Sequence, residues 1–211
     1  MKPLPIGVLI SGQGTNLDAI LRRCESCTLD AEVRLVVSNR ANAPGLEYGR
    51  RRHIPTTAIV RSEFDSREAQ QREMARRLIE HGVELVVLAG FDQILSAEFV
   101  ETFRHRLINL HPSLLPAFGG GMHAVRDALD YGVKVTGATV HLVDSDFPDA
   151  DSGPIILQAA VPVLEGDDEA SLLARIHEVE HQILPEAIQL FAEGRIRFVG
   201  RKAHILEPSP T

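Results

Sequence analysis

The sequence has little cysteine, no long apolar run and no surplus of basic charge, and each shortage removes a class of function. Its only two cysteines, Cys24 and Cys27, form a C-x-x-C, and no second pair or Cys-His set supplies the other ligands of a zinc site. The pair falls toward the end of a predicted helix, away from the N-terminus that would lower a thiol pKa, so two reduced thiols are expected and not a redox motif. No window reaches the roughly 18 apolar residues of a membrane span. The opening "MKPLPIGVLISG" is broken at Gly12 and lacks a small-residue cleavage site, so it is not read as a secretory signal and a cytoplasmic location is the default. With Lys+Arg 22 against Asp+Glu 29 and a net charge of -7, no nucleic-acid or membrane partner is expected, because phosphate binding needs clustered Lys and Arg. A small-molecule partner is expected instead.

What is present is a rhythm. With 211 residues and 44% hydrophobic content, one domain over 1–211 is expected. Val-, Ile- and Leu-rich runs at 6–11, 32–39, 54–60, 84–90 and 107–110 alternate with amphipathic segments at 15–24, 44–52, 66–82 and 96–104. Continuous apolar strands separated by helices imply βαβ units around a parallel sheet covered on both faces. After a helix near 123–131, the stretches "KVTGATVHLVD" and "PIILQAAVPV" flank an acidic loop at 144–153 and turn the pattern antiparallel. A closing helix is expected over 168–193 and a disordered tail from about 206 to 211. The fold class is therefore α/β: a Rossmann-like open twisted sheet, mainly parallel, with antiparallel C-terminal strands and helices on both faces.

"LISGQGTNLDAI" is a strand, a glycine turn and a helix start, with Thr15 or Asn16 available as cap and backbone N–H groups free to hold an anion. Leu17 stands where the dinucleotide fingerprint needs its third glycine, and no Walker lysine follows, so neither a dinucleotide site nor a P-loop is supported. In the closing helix, Leu172, Ile176, Val179, Ile183 and Ala187 form an apolar stripe, and Glu180 lands inside it. A carboxylate there is paired, leaning to solvent, or working on a ligand. His177 and His181 are expected to face solvent, and Arg50, Arg51 and Arg52 to form a solvated helix end.

The chemistry centres on "INLHPSLLPAF". Strand alternation puts Asn109 and His111 on one face, opposite Ile108 and Leu110, and Pro112 ends the strand where ligands of open α/β sheets bind. An amide N–H beside a protonated imidazole suits a developing oxyanion. Asp144, Asp146, Asp149 and Asp151 of the acidic loop are each placed to hold His111 protonated by charge proximity, and His141 is a second lining candidate on the face of Gly137 and Thr139. The loop lacks the sixth-position glycine and closing Glu of an EF-hand, so no metal is expected.

These blocks, with "VVSNRANAPGL", "FDSREA", "VVLAGFDQIL", "GATVHLVD", "DSGPIILQAAVPV" and "EVEHQILP", run in the order found in the glycinamide ribonucleotide formyltransferases of purine biosynthesis, and the chain resembles that family over nearly its whole length. The resemblance implies transfer of a formyl group from 10-formyltetrahydrofolate, a co-substrate, to the glycyl amine of the ribonucleotide, by direct attack through a tetrahedral oxyanion and without metal or covalent enzyme intermediate. It implies that Asn109 and His111 stabilise the oxyanion and that Asp151 orients or charges His111. It places Gly14, Thr15, Asn16 and Glu180 on the nucleotide, and Arg67, Asp92, Gln93, Ile94, Leu95 and Asp144 on the formyl folate, with His141 lining that side. It divides the chain into a nucleotide-binding half at about 1–105 and a folate and catalytic half at about 106–195, and leaves monomer and homodimer both open.

Three departures from the family pattern stand out. Gly119, Gly120 and Gly121 read as an insertion with added freedom. The acidic loop is about three residues longer than usual, so Asp149 or Asp146 competes with Asp151 for the catalytic place. Position 92, often apolar in relatives, is Asp here. The rival enzymes with the same centre are a methionyl-tRNA formyltransferase, which needs an RNA-binding domain and a basic face, and a formyltetrahydrofolate hydrolase, which usually carries an N-terminal regulatory domain. The chain has no evident room for either. A non-catalytic nucleotide-binding or folate-binding module would keep the anion turn without needing Asn109 and His111 on one face.

Overall fold

The computed structural model describes residues 2–208. Nine strands of the described residues form one sheet: β1 (Leu4–Ile10), β2 (Ala31–Ser38), β3 (Thr56–Ala58), β4 (Leu85–Leu88), β5 (Leu107–His111), β6 (Val135–Leu142), β7 (Ile155–Pro162), β8 (Ile196–Val199) and β9 (Lys202–Ile205). Their order is β3-β2-β1-β4-β5-β6-β7-β9-β8. The first five run parallel, and β6 and β7 continue the sheet antiparallel. The hairpin β8–β9 joins β7 through Ile155 and Lys202 and is absent from the sequence pattern, because its strands are only four residues long and Arg197, Lys202 and His204 interrupt their apolar residues. Part of the expected disordered tail is also ordered, since the Leu206 amide donates to the Arg195 carbonyl at 2.8 Å. Residues 209–211 of that tail lie outside the described residues.

Six α-helices of the described residues connect the strands: α1 (Thr15–Glu25), α2 (Leu46–Arg51), α3 (Arg67–Glu80), α4 (Ala97–Thr102), α5 (Ala124–Tyr131) and α6 (Glu169–Ala192). Ser66, Ser96 and Asp168 cap α3, α4 and α6 by accepting backbone N–H groups, and Asp168 with Ser171 completes a capping box. Strand alternation divides the core. Val8, Val36, Val87 and Ile108 face α1 and α6 with Leu17, Ile20, Ile176 and Leu184, whereas Leu9, Val37, Val86 and Leu107 face α3 and α4 with Met74, Leu78, Phe99 and Phe103. Each of these buried side chains contributes about 1.5–3 kcal/mol on leaving water.

The carboxyl ends of the five parallel strands share one edge, so the loops after β1, β2, β4 and β5 converge there. Gly14 is the residue that caps α1, at φ 74° and with no side-chain hydrogen bond; neither Thr15 nor Asn16 caps the helix as expected. The turn is pressed against the loop after β2, where the Gly45 amide donates to the Gly12 carbonyl at 3.0 Å and a Cβ at Gly45 would lie 2.9 Å from Gly14 Cα. Close backbone approach, together with the left-handed φ, requires glycine at this crossing.

A second close approach seats the acidic loop. A Cβ at Gly153 would lie 1.8 Å from the Leu142 carbonyl oxygen, which is backbone and has no rotamer to yield. Gly153→Ala is expected to lower stability by about 1–3 kcal/mol and to displace Asp151 two residues earlier; a urea denaturation midpoint equal to that of the wild type at the same m-value would contradict this packing.

Candidate active site

Antiparallel pairing of β5 with β6 sets Asn109 opposite His141 and His111 opposite Thr139, so four polar side chains share one face of the sheet. The Asn109 Nδ2 amide lies 3.1 Å from His141 Nε2 and donates to Asp151 Oδ1 at 3.3 Å. His141 Nδ1 lies 3.0 Å from the Leu142 carbonyl, and its Nε2, besides meeting Asn109, lies 3.5 Å from Asp151 Oδ1. His111 Nδ1 is 3.3 Å from Asp151 Oδ2, and its Nε2 donates to the Phe118 carbonyl at 3.0 Å. Both ring nitrogens of His111 thus face acceptors, an arrangement that suits the imidazolium.

Asp151 is the hub. It sits at φ 57°, a left-handed conformation that Asp tolerates better than most residues, with its side chain 14% exposed. Burial alone would raise its carboxyl, but His141, the His111 charge and the Gly120 amide, which donates at 2.8 Å, hold it down at about 2. Asp149 and Asp146 are exposed, and Asp146 is taken by Arg104 at 2.7 Å, so Asp151 is the carboxylate of the lengthened loop that lies against Asn109 and His111. Burial pushes His111 below its ordinary pKa, against the opposing pull of Asp151 and the Phe118 carbonyl. Asp151 therefore favours the charged ring without holding it charged above the usual value.

Residues outside the expected set build the walls. The loop after β5 is pinned by Thr139, whose hydroxyl donates to the Ser113 carbonyl at 2.7 Å and accepts from the Leu115 amide at 3.1 Å. Gln158 of β7 donates to Thr139 and to the Leu115 carbonyl. Gly120 is no free insertion: at φ 75° its amide aims at Asp151. Gln158 and Gly120 carry no local signal of this role, whereas Thr139 lies on the face already assigned to His141.

At the anion turn, the side chain of Asn16 leaves the helix start and donates to Glu180 Oε2 at 2.9 Å. Glu180 is buried within the α6 stripe with neither an arginine partner nor an exit to solvent, and burial raises its pKa against the pull of Asn16 and His177. His177 lies 3.8 Å from that carboxylate and stacks on His181 with ring centroids 6.0 Å apart, so both histidines are half-buried and not solvent-facing as expected. Arg52 likewise leaves the solvated run: Arg50 and Arg51 are exposed, while Arg52 bonds Glu25 at 2.7 Å and Asp18 at 3.2 Å. Cys24 and Cys27 are free thiols, and burial pushes Cys24 up to about 11.

Of the residues matched to folate, the structure brings only His141 against the centre. Asp144 is buried at the base of the loop, accepting from the His105 ring at 2.8 Å and the Asp146 amide at 3.0 Å, so its carboxylate is spent on the protein. Arg67 opens α3 on the same edge of the sheet, half-exposed beside Glu68. The carboxylate of Asp92 is taken by Asn39 Nδ2 at 2.7 Å and by Arg40, and its amide donates to Ser11 Oγ at 2.9 Å, closing a ring with the Ser11 to Asn39 bond of 2.7 Å. This ring ties together the loops after β1, β2 and β4. Gln71 of α3 fixes the rest of that segment, donating to the Ile94 carbonyl at 3.0 Å and accepting from the Ser96 amide at 2.6 Å. Ile94 itself is 68% exposed, Leu95 packs on the core, and Gln93 Oε1 is buried with no partner. Asn16 Oδ1 is orphaned in the same way, so the α1 start and the segment after β4 each present one buried acceptor that meets no donor among the described residues.

Residues 4–188 match the formyl transferase family. The chain is 46% identical over 192 residues to the phosphoribosylglycinamide formyltransferase of Escherichia coli K12, an alignment covering 91% of this chain and 89% of that one. Glycinamide ribonucleotide transformylase 1 from Symbiobacterium toebii superposes with a TM-score of 0.94 at 48% identity, covering 98% of this chain and 95% of the other. A formyltetrahydrofolate deformylase from Pseudomonas syringae pv. tomato is also similar, with a TM-score of 0.89 at 27% identity over 97% of this chain and 66% of that one.

The Asp151 carboxyl carries a pH signature. Held at about 2 against an unfolded value of about 3.9, it contributes about 2–3 kcal/mol of stability that is complete above the unfolded value and is lost as pH falls toward the folded one. Asp151→Asn keeps the backbone conformation. The stability gap between wild type and this variant is expected to narrow between about pH 4 and about pH 2, measured by denaturant titration at constant ionic strength. A gap independent of pH would mean the carboxyl is not held ionised.

Proposed function

The chain belongs to the formyl transferase family, and from that premise we propose that it moves the formyl group of 10-formyltetrahydrofolate onto the glycyl amine of glycinamide ribonucleotide. The observation that carries this reading is the meeting of Asn109, His111 and Asp151 at the carboxyl edge of the sheet, on the side where the anion turn opens. The nucleotide phosphate suits the unbonded N–H groups of the α1 start at Gly14, Thr15 and Asn16. The orphaned Asn16 Oδ1 and the buried Glu180 carboxylate supply acceptors for ribose hydroxyls or the glycinamide end. Gln93 Oε1 offers an acceptor to the folate, with exposed Ile94 as an apolar neighbour. Nucleotide and folate roles cross the halves of the chain, because Glu180 serves the first and Gln93 the second.

As the amine attacks the formyl carbon, negative charge gathers on the formyl oxygen. The 3.3 Å bond from Asn109 to Asp151 is the longer of that amide's two contacts, and the substrate oxygen takes over this proton. Burial leaves His111 mostly neutral near pH 7. It accepts the proton released by the amine and returns it to the departing folate nitrogen, while Asp151 steadies the imidazolium formed between. In this exchange the substrate replaces the Phe118 carbonyl at Nε2, the single proton of the neutral ring sits on Nδ1 against Asp151, and Nε2 is thereby the nitrogen that accepts and returns the proton.

Asn109→Ala, His111→Ala and Asp151→Asn are each expected to lower kcat by about 10²–10³ while nucleotide binding changes little, and Asp149→Asn is expected to be silent. Turnover is followed as absorbance of folate deformylation with and without the nucleotide. Deformylation that ignores the nucleotide would instead place the chain with the deformylases that share its fold.

Glu180→Gln is expected to weaken nucleotide binding by about tenfold, the loss of roughly one charge-assisted hydrogen bond, with the thermal midpoint near that of the wild type. Calorimetric titration checks the first and a thermal melt the second; a collapsed melt would assign Glu180 to the core.

A further inference from the structure

The loop that carries Asp151 is longer than it needs to be to join β6 to β7, and a long loop does not hold a carboxylate still unless it is fastened. Its first half is fastened to α4 and the residues after it: Asp144 to His105, Asp146 to Arg104 at 2.7 Å, and Ser145 to Glu101 at 2.6 Å. Its middle folds on itself, with the Ser152 hydroxyl donating to the Asp149 carbonyl at 2.6 Å and the Phe147 carbonyl at 3.3 Å. Its last part meets the terminal hairpin. Gly200, at φ 55°, makes the tight turn between β8 and β9, and the next residue, Arg201, reaches back over the loop. Its guanidinium carbon lies 4.9 Å from the centre of the Phe147 ring, and Nη1 donates to the Ser152 carbonyl.

We propose that Arg201 is a positioning residue that clamps the acidic loop and thereby holds Asp151 against His111. The geometry makes the clamp specific. The peptide after Ser152 is pressed on one side by the Leu142 carbonyl at Gly153 and gripped on the other by Arg201 at the Ser152 oxygen. That fixes the chain one residue beyond Asp151, whose left-handed φ of 57° would otherwise relax toward the common regions. A planar guanidinium is suited to both tasks at once, stacking on an aromatic face while donating in its own plane, which an ammonium cannot do. Arg201 touches none of the proposed reacting groups and acts through Asp151.

This inference rests on the transferase reading for its kinetic test and stands apart from it for its spectroscopic one. Arg201→Ala in the full chain is expected to lower kcat about tenfold, within the roughly hundredfold that a 1 Å misplacement can cost, with the nucleotide KM unchanged because the anion turn is held by other loops. In the same variant the His111 ring, which faces Asp151 and His141, is expected to titrate at lower pH by NMR, since its carboxylate partner is no longer held beside it. Arg201→Lys recovers part of both effects through the Ser152 carbonyl alone, and Phe147→Leu, which removes only the stacking, falls between. A lower melting temperature with kcat and the His111 titration both unchanged would overturn the proposal and leave Arg201 a stability role. If the wild type transfers no formyl group, the transferase reading fails, and the His111 titration still decides the clamp.

Discussion

A carboxylate withdrawn from water has to be met by charge or hydrogen bonds, and the centre of this protein is arranged around meeting one. Asp151 has His111, Asn109, His141 and the Gly120 amide around it, and these come from three separate pieces of chain. β5 brings Asn109 and His111, β6 brings His141, the glycine loop brings Gly120, and the acidic loop brings Asp151 itself. Those four pieces meet only because β6 turns antiparallel beside β5, which sets Asn109 across from His141.

The same logic of shared polar groups binds the rest of the edge. Ser11, Asn39 and Asp92 close a ring that joins three loops, and Asn16 joins α1 to α6 through Glu180. Neither arrangement adds much net stability, because each hydrogen bond replaces bonds to water. What they contribute is position: the anion turn, the segment after β4 and the closing helix are referred to one another by directional bonds between short side chains. Asp92 shows how this alters a residue's meaning. Taken alone it is a charge near a ligand, and in the folded chain its charge is neutralised by Arg40 and shared with Asn39.

Much was legible in advance where the signal was local and periodic. Strand runs of Val, Ile and Leu and the amphipathic stripe of α6 report burial directly, because a side chain's face follows from its spacing. Asn109 and His111 could be placed together for the same reason, and Glu180 could be flagged because a carboxylate in an apolar stripe has to be accounted for. The hairpin β8–β9 escaped because it is short, interrupted by Arg197, Lys202 and His204, and held by one register pair to β7. The Gly119 to Gly121 run read as slack because nothing local says that one of its amides points at a carboxylate 31 residues away.

By itself the sequence determined the alternation of strands and helices up to α6, the parallel run of the early strands, the family to which the chain belongs, and the common face of Asn109 and His111, since all of these are written in spacing or in blocks of adjacent residues. Only the tertiary structure decided that Asp151, and not Asp149 or Asp146, sits at the centre. It alone decided that Glu180 answers to Asn16, that Asp92 and Asp144 spend their charges on the protein, and that Arg201 lies over the acidic loop. The physical reason is that a hydrogen bond or ion pair depends on distance and direction to about an ångström. Spacing along a strand or helix conveys that within one element, and between elements it is settled only when the loops have closed and the sheet has packed.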